Sequence, residues 1–306
     1  MKKHINTISI SIGVFVHNEE KDIGKTLNAL LNQDLGTSFA ISEILVFSDA
    51  CTDNTNNIVN SAARNNKSIK LITSNDRRGK SAAINHFLNI AKEEIVISAN
   101  GDHIPDKKCL RLLVEALTSD KKIGLAGPQV ICVNKDNNLM GYLSKTLWRI
   151  HHKVALIQAK AGELIAYKKD IVKRLPYPCV LDESTTEAIV QNAGYNVVYV
   201  PDAKVFVKGP QRFRDEIIQR RRNEVGYIHI MHQFPRYRPA TFNRKYLLPA
   251  IISEISVNPI INIYLAITIF SEIYAKFLAY YDYYILRKTY QSWPVAHSTK
   301  GVANDK

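Results

Sequence analysis

Cysteine is scarce in this 306-residue chain, and its four cysteines lie far apart along the sequence. They are Cys51, Cys109, Cys132 and Cys179, and no two form a C-x-x-C pair. This spacing argues against a disulfide framework and against a cysteine-based zinc site. Free thiols of this kind are typical of a reducing compartment.

Three other signals are missing as well. No G-x-G-x-x-G follows the first predicted strand, which argues against a dehydrogenase. The basic residues carry neither a helix-turn-helix signature nor interleaved aromatics, so nucleic acid is not an expected partner. The N-terminal residues alternate like a strand over Ile8–Ile12 and show no apolar core with a cleavage site, so we expect no signal peptide and a cytosolic catalytic part.

Positive charge is abundant and unevenly placed. The formal net charge is +13, and Lys and Arg crowd the stretch from Lys208 to Lys245, which contains only three acids. Such an excess indicates an anionic partner, either phosphate groups or an acidic membrane surface. With 46% hydrophobic residues the chain also has enough apolar side chains for a substantial core.

Strand and helix patterns alternate up to about Gly127. The predicted strands are Ile8–Val16, Ile41–Phe47, Ile69–Thr73 and Glu94–Ser98, and the predicted helices follow Asn18–Glu20 and cover Thr55–Arg64, Lys80–Lys92 and Pro105–Thr118. This rhythm predicts a parallel, doubly wound sheet. In such a sheet ligands bind beyond the carboxyl ends of the strands.

The rhythm breaks after Gly127, yet the second half reads as part of the same domain. The patterns predict helices over Tyr142–Gln158 and Thr185–Ala193, and strands over Gly162–Tyr167 and Tyr195–Val200, with Pro201 ending the last strand. We therefore assign residues 1–245 to one domain.

Residues 246–290 form a separate hydrophobic region, followed by a polar tail over 291–306. Ile255–Ser271 carries no charge but is shorter than a spanning helix needs and contains Pro259. Basic residues flank the region on both sides. We expect two helices, broken near Pro259, that lie in the membrane interface or dip into it. The alternative is a buried helical pair packed on the main domain.

Six fragments resemble, in order, the motifs of family-2 glycosyltransferases of the GT-A fold. They are Val16–Glu20, Ser48–Thr55, Gly79–Asn85, Gly162–Tyr167, Gly194–Ala203 and Gln219–Asn223. The resemblance covers roughly Ile8–Gly226. It implies an α/β, Rossmann-like GT-A fold, a doubly wound and mostly parallel sheet, here with a C-terminal hydrophobic helical appendage. It also implies inverting transfer of a sugar from a nucleotide-sugar donor.

The same resemblance suggests a nucleotide pocket. Asp49 would accept a hydrogen bond from a uracil-type base; the alternative is a turn aspartate that binds loop amides. Asp53 is expected to order the turn and cap the helix near Thr55. The other donor-pocket residues implied by the resemblance are Asn18, Glu19, Lys80 and Asn85.

Asn100-Gly101-Asp102 occupies the place of the family's Asp-x-Asp motif, which binds Mg²⁺ or Mn²⁺ together with the diphosphate. The first acid is replaced here by a neutral amide, but Asp102 retains the one carboxylate that a diphosphate-bound cation needs. His103 is a candidate additional ligand or an ordinary structural histidine.

Asp182-Glu183 corresponds to the family's acid pair, in reversed order, of which the aspartate is the general base. Residue type favours Asp182 and spacing from Gly194 favours Glu183, so we keep both as candidates. The alternative is a pair of acids that serve only the helix dipole.

Gln219, Arg220, Arg221 and Arg222 resemble the family's Gln-x-x-Arg-Trp segment, with Asn223 in the place of tryptophan. Guanidinium groups there would hold the departing diphosphate; a basic helix face on lipid phosphates is the alternative. We expect Asp49, Asp102 and these arginines to converge on one notch.

The resulting hypothesis is a glycosyltransferase at the cytosolic face of the cell membrane. It would use a UDP-linked donor and a lipid-linked or glycan acceptor, whose hydroxyl or phosphate receives the sugar. Its rival is a catalytically impaired, membrane-bound protein that binds nucleotide sugars or acts as a scaffold.

Overall fold

The computed structural model describes residues 7–177, 179–288 and 297–302. Its first half contains β1 Ile8–Val16, α1 Ile23–Leu31, β2 Phe39–Asp49, α2 Thr55–Asn65, β3 Ile69–Ser74, α3 Lys80–Ile90 and β4 Ile95–Asn100. Its second half contains β5 Ile104–Pro105, α4 Cys109–Ser119, β6 Ile123–Cys132, α5 Leu139–Ile157, β7 Ile165–Lys168, α6 Asp182–Asn192, β8 Asn196–Val207 and α7 Phe213–Gln233. Two apolar helices follow, α8 Arg244–Ile252 and α9 Pro259–Tyr280, and α9 continues into a π-helical turn over Tyr281–Ile285.

The strands form one eight-stranded sheet in the order β3-β2-β1-β4-β7-β6-β8-β5. The first four strands run parallel, as do β6 and β8, whereas β7 and β5 are antiparallel to their neighbours. The doubly wound, mostly parallel prediction is confirmed. Because β2, β1 and β4 are parallel neighbours, the loops after Asp49, Val16 and Asn100 meet at one edge of the sheet, where ligands bind in this architecture.

Helices cover both faces of the sheet, as the strand sequences require. Ile10, Ile12 and Val14 point to one face and pack with α1 and α4. On the other face, Phe87 of α3 packs so closely on β1 that a Cβ at Gly13 would lie 2.9 Å from its ring. Burial on both sides fixes the register of β1 and thus the position of the loop that follows it.

Strands β6 and β8 and helix α4 are among the elements that differ from their sequence predictions. Strand β6 was not predicted, and β8 continues through Pro201 to Val207 because the pairing register shifts beside this proline, opposite Pro128 and Gln129. A proline is tolerated in a strand at such an irregularity. Helix α4 begins at Cys109 instead of Pro105, because Ile104 and Pro105 pair with β8.

The two C-terminal helices were predicted, and the break falls where expected. Pro259 is the first residue of α9, and the Asn258 side chain accepts a hydrogen bond from the backbone N–H of Ile260 at 3.0 Å. One face of α9 is buried against α7 and α5. Among the described residues, Pro259–Ile285 is one helical stretch that is long and apolar enough to cross a membrane.

Part of the predicted polar tail lies against the domain, and the rest, residues 291–296 and 303–306, falls outside the described residues. The backbone N–H of Gly301 donates to Asp22 at 2.6 Å, Ser298 bonds to Asp215, and Val302 is buried. The proposed boundaries at 245 and 290 stay predictions.

Candidate active site

The loops after β1 and β2 are joined by a network of hydrogen bonds. Asn18 has a left-handed backbone (φ 56°), and its side-chain oxygen accepts from the N–H of Thr52 at 2.8 Å. Asp53 accepts from the N–H of Glu20 at 3.0 Å and from that of Thr55, also at 3.0 Å. The expected role of Asp53 in ordering this turn is confirmed, whereas the N-cap of α2 is Asn54, which makes no side-chain cap bond. The network holds the two loops together.

Asp49 links the end of β2 to the start of α3. Its carboxylate accepts from the backbone N–H of Arg78 at 2.7 Å and from that of Gly79 at 2.9 Å. Gly79 has φ 84°, a conformation that glycine adopts without strain. This is the contact pattern of the turn alternative, and binding of a base by Asp49 stays a prediction.

Asn85 also acts on a loop. Its side chain donates to the carbonyl of Leu175 at 3.1 Å and accepts from the N–H of the same residue at 2.7 Å. Both ends of the amide are therefore used to hold the segment that leads into α6. A role of Asn85 in a nucleotide pocket stays a prediction.

Asp102 lies beside Glu19 because position 101 is glycine. A Cβ there would come within 2.6 Å of Val16 and 3.0 Å of Glu19. Glu19 is 7% exposed, and its burial together with the charge of Asp102 raises the pKa of Glu19 to about 8. Lys300, from the described part of the tail, forms an ion pair with Glu19 and lies close enough to Asp102 for that carboxylate to help raise the pKa of the lysine, against the effect of burial.

The carboxylate ligand at this position suits a divalent cation that binds together with a diphosphate. Within the described ranges, no group of three or more His, Cys, Asp or Glu side chains is arranged to hold a metal ion by itself. Asp102 offers a partly exposed carboxylate to the cleft. Mg²⁺ and Mn²⁺ accept one or two carboxylates plus phosphate oxygens, so this set fits them without a complete protein cage.

Glu163 is a site residue that the sequence reasoning missed. Its Oε2 lies 3.1 Å from His103 Nε2 and accepts from the Asn100 amide at 3.4 Å. His103 Nε2 is also 3.9 Å from Asp102, and its Nδ1 accepts from the backbone N–H of Asn100 at 3.2 Å. The one available signal was an acid placed directly after Gly162, just before an apolar strand.

The two candidate bases share a single lysine. Lys80, the first residue of α3, places its Nζ 2.7 Å from Asp182 and 2.9 Å from Glu183. Helix α6 begins at Asp182, three residues earlier than predicted, so both acids stand in its first turn, where the helix dipole favours them.

The environment separates the two acids electrostatically. Burial and the charge of Glu183 raise the pKa of Asp182. For Glu183 burial acts upward too, but the Lys80 charge outweighs it and holds the pKa of Glu183 below its usual value. Asp182 is therefore the more basic of the two, and Glu183 is the charged partner of Lys80.

Two of the arginines expected at the diphosphate contact the C-terminal helices instead. Arg220 donates to Glu272 of α9 at 2.7 Å. Arg221 makes a bidentate ion pair with Asp282, whose completely buried carboxylate requires a cation. Gln219 and Arg222 are half-buried on the same helix. Lys300 is a cation beside Asp102. Diphosphate binding by Gln219 and Arg220–Arg222 stays a prediction.

The chain is similar in sequence and structure to known glycosyltransferases. The family model described as glycosyl transferase family 2 matches residues 11–172, more than half of the chain. A curated relative, "Probable glycosyltransferase YdaM" of Bacillus subtilis (strain 168), is 24% identical over 245 residues. The match covers 74% of this chain and 56% of the relative, so the chain spans little more than half of the relative's length.

Two solved structures share the fold. The mannosyltransferase PcManGT from Pyrobaculum calidifontis, in complex with GDP-Man and Mn²⁺, matches with a TM-score of 0.59 and 23% identity, over 97% of this chain and 88% of that one. Glucosyl-3-phosphoglycerate synthase from Mycobacterium tuberculosis, in complex with Mn²⁺, UDP and glucosyl-3-phosphoglycerate, matches with a TM-score of 0.53 and 15% identity, over 76% and 81%. The sheet order, the motif positions and the family match agree, and the chain belongs to glycosyl transferase family 2.

Proposed function

We propose that the protein is an inverting glycosyltransferase that uses a nucleoside diphosphate sugar. The observation that carries this proposal is the acid pair Asp182 and Glu183, held by Lys80 in the cleft that also contains Asp102 and His103. Direct displacement at an anomeric carbon needs a base on one side of the sugar and stabilisation of the leaving diphosphate on the other. Family membership and the nucleotide and Mn²⁺ bound in the two related structures support the same reaction class.

Asp182 takes the part of the general base. Its raised pKa makes it a better proton acceptor than an ordinary aspartate, and burial keeps it away from bulk water. The acceptor oxygen gives its proton to Asp182 and bonds to the anomeric carbon. The bond from that carbon to the diphosphate oxygen breaks, and the diphosphate leaves with the electron pair, so the configuration inverts.

The leaving diphosphate is stabilised at Asp102 and Lys300. Mg²⁺ or Mn²⁺, when bound at Asp102, supplies positive charge to the departing oxygen. Lys300 adds a fixed cation beside the same carboxylate. A uracil base would then lie towards Asp49 and Asn18, at the ends of β2 and β1.

The acceptor is proposed to be a lipid-linked or glycan substrate at the cytosolic face of the membrane. Support comes from α9, whose outer face exposes Ile263, Phe270 and Phe277. Basic residues before α8 and after the π-helical turn suit an anionic lipid surface. A helix with one face on the domain and the other apolar and exposed is arranged to lie along a membrane.

A nucleotide screen tests the proposal. The intact protein, in detergent, is heated with UDP, GDP and their common sugars, with and without Mn²⁺ or Mg²⁺, and release of free nucleoside diphosphate is measured with each sugar nucleotide. We expect metal-dependent stabilisation by one nucleotide and turnover of its sugar. Absence of binding to every nucleotide would refute the proposal, and binding without turnover under any acceptor would favour the scaffold alternative suggested by Asn100.

A further inference from the structure

The neutral residue at position 100 is matched by an acid from another part of the chain. Asn100 stands where the resemblance places an aspartate, and its side-chain N–H donates to Glu163 at 3.4 Å. An aspartate here would bring two carboxylates to this distance, and like charges in a partly buried site repel strongly. Asn100 and Glu163 are therefore complementary to each other, whereas an aspartate at position 100 would repel Glu163.

The segment that carries Glu163 is held in an unusual conformation. Leu164 is completely buried and has φ 56°, a left-handed backbone that is strained for a leucine. Gly162 lies so close to β6 and α5 that a Cβ would come within 2.9 Å of Val130 and 3.2 Å of Trp148. Backbone on both sides of Glu163 is thus fixed, and its side chain, 28% exposed, is directed at His103 in the cleft.

Glu163 lies near both the proposed cation ligand Asp102 and the lysine that holds the two candidate bases. His103 Nε2 contacts Glu163 at 3.1 Å and approaches Asp102 at 3.9 Å, so both carboxylates lie near the same imidazole nitrogen. The charge of Glu163 also reaches Lys80, the lysine that holds Asp182 and Glu183. No other acid in the described part of the chain contacts the Asn100 side chain at hydrogen-bonding distance.

We infer that Glu163 replaces the acid missing at position 100 and supplies the second carboxylate, with Asp102, that binds the divalent cation of the donor diphosphate. Asn100 and His103 are positioning residues that orient Glu163. The inference rests on the proposed function. The cation site then has two carboxylates, and the second is supplied by the segment before β7 in place of the end of β4.

The test measures Mn²⁺ binding directly. Free Mn²⁺ is followed by its electron paramagnetic resonance signal while the protein is titrated in the presence of UDP or GDP, whichever the screen shows to bind. For Glu163→Gln we expect a Mn²⁺ Kd raised by about 10-fold or more. For Asn100→Asp combined with Glu163→Gln, which returns the carboxylate to position 100, we expect most of that loss to be recovered. Glu94→Gln, an exposed acid at the opposite end of β4, serves as the control and is expected to leave the Kd unchanged.

Two results would overturn the inference. Glu163→Gln with wild-type Mn²⁺ affinity excludes a role at the cation, and if only the affinity for the sugar nucleotide falls, Glu163 binds the sugar. A double variant that binds Mn²⁺ no better than Glu163→Gln excludes the exchange between positions 100 and 163. Failure of the wild-type protein to bind either nucleotide would instead remove the proposed function itself, and the two failures are therefore distinguishable.

Discussion

Among single residues, Lys80 has the widest influence on the proposed chemistry. It contacts both Asp182 and Glu183, and its own pKa is raised because these charges outweigh the effect of burial. Lys80 lowers the pKa of both acids, but burial and the charge of Glu183 still leave the pKa of Asp182 raised, so Asp182 is the stronger base of the two. Neither role is visible in the dipeptide itself, which explains why residue type and spacing gave different answers for the base.

Replacement of each acid distinguishes their roles. Asp182→Asn is expected to lower kcat by a factor on the order of 10² to 10⁴, since general base catalysis contributes that much. Glu183→Gln is expected to lower kcat less, because its main contact is the ion pair with Lys80. Steady-state turnover of the preferred sugar nucleotide measures both, and nucleotide affinity should stay near the wild-type value in Asp182→Asn. A larger kcat loss in Glu183→Gln would assign the base to Glu183.

Removal of the lysine charge should change the pH dependence. Lys80 lowers the pKa of Asp182, so Lys80→Gln raises it further. Because the base acts only when deprotonated, activity appears as pH rises through this pKa, and the acidic limb of kcat/KM should move to higher pH by about one pH unit. Lys92→Gln, at the other end of the α3 region, is the control. An unchanged limb would show that the titrating base is not in contact with Lys80.

Among the elements, α7 carries the arginines that were predicted to bind the diphosphate, and this helix packs against α9. Asp282, in the π-helical turn, is completely buried, and Arg221 of α7 together with Lys288 supplies its counter-charges. Glu272 makes an equivalent pair with Arg220. Burial of an unpaired carboxylate costs free energy, so these acids are buried together with basic partners. The helical appendage is therefore joined to the domain by ion pairs as well as by apolar contact.

Breaking this pair should destabilise the fold. Asp282→Asn leaves the Arg221 guanidinium without its carboxylate, and loss of one partner of a buried pair costs about 3 to 5 kcal/mol. The double variant Arg221→Met with Asp282→Leu should recover much of that loss, because neither member of the Arg221–Asp282 pair is left as a lone charge and Lys288 is partly exposed to water. Urea unfolding in detergent micelles measures both, with exposed Glu115→Gln as the control. Equal stability of Asp282→Asn and wild type would show that the ion pair contributes little.

For the whole molecule, the exposed apolar residues of α9 lie together on one side of the protein. Ile260, Ile263, Phe270, Phe277 and Tyr281 recur on one face of the α9 helical stretch and are all exposed. The opposite face, with Leu265, Ser271 and Ala275, is buried on the domain. A helix so arranged suits the proposed position in the membrane interface, which the sequence predicted alongside a helix that dips into the membrane.

The membrane proposal predicts the effect of a polar outer face. Ile263→Ser, Phe270→Ser and Phe277→Ser together should weaken binding to phosphatidylcholine–phosphatidylglycerol vesicles by on the order of 1,000-fold, since burial of each large apolar side chain contributes about 1.5 kcal/mol or more. Vesicle flotation measures the bound fraction. Ile90→Ser, an exposed apolar residue at the end of α3, is the control. Unchanged flotation of the triple variant would contradict this orientation of α9.

The sequence alone determined the alternation of strands and helices in the first half, the family and the two C-terminal helices, because apolar spacing and turn residues act over short distances. It also placed Asp102, Asp182 and Glu183 at the ends of elements. It did not predict β6 or the continuation of β8 past Pro201, since strand pairing decides both. Tertiary structure alone brought Glu163 to Asn100 and Lys300 to Glu19, and turned Arg220 and Arg221 towards α9. The charged partner of a side chain depends on which distant elements pack together. Residue spacing along the chain does not predict that packing.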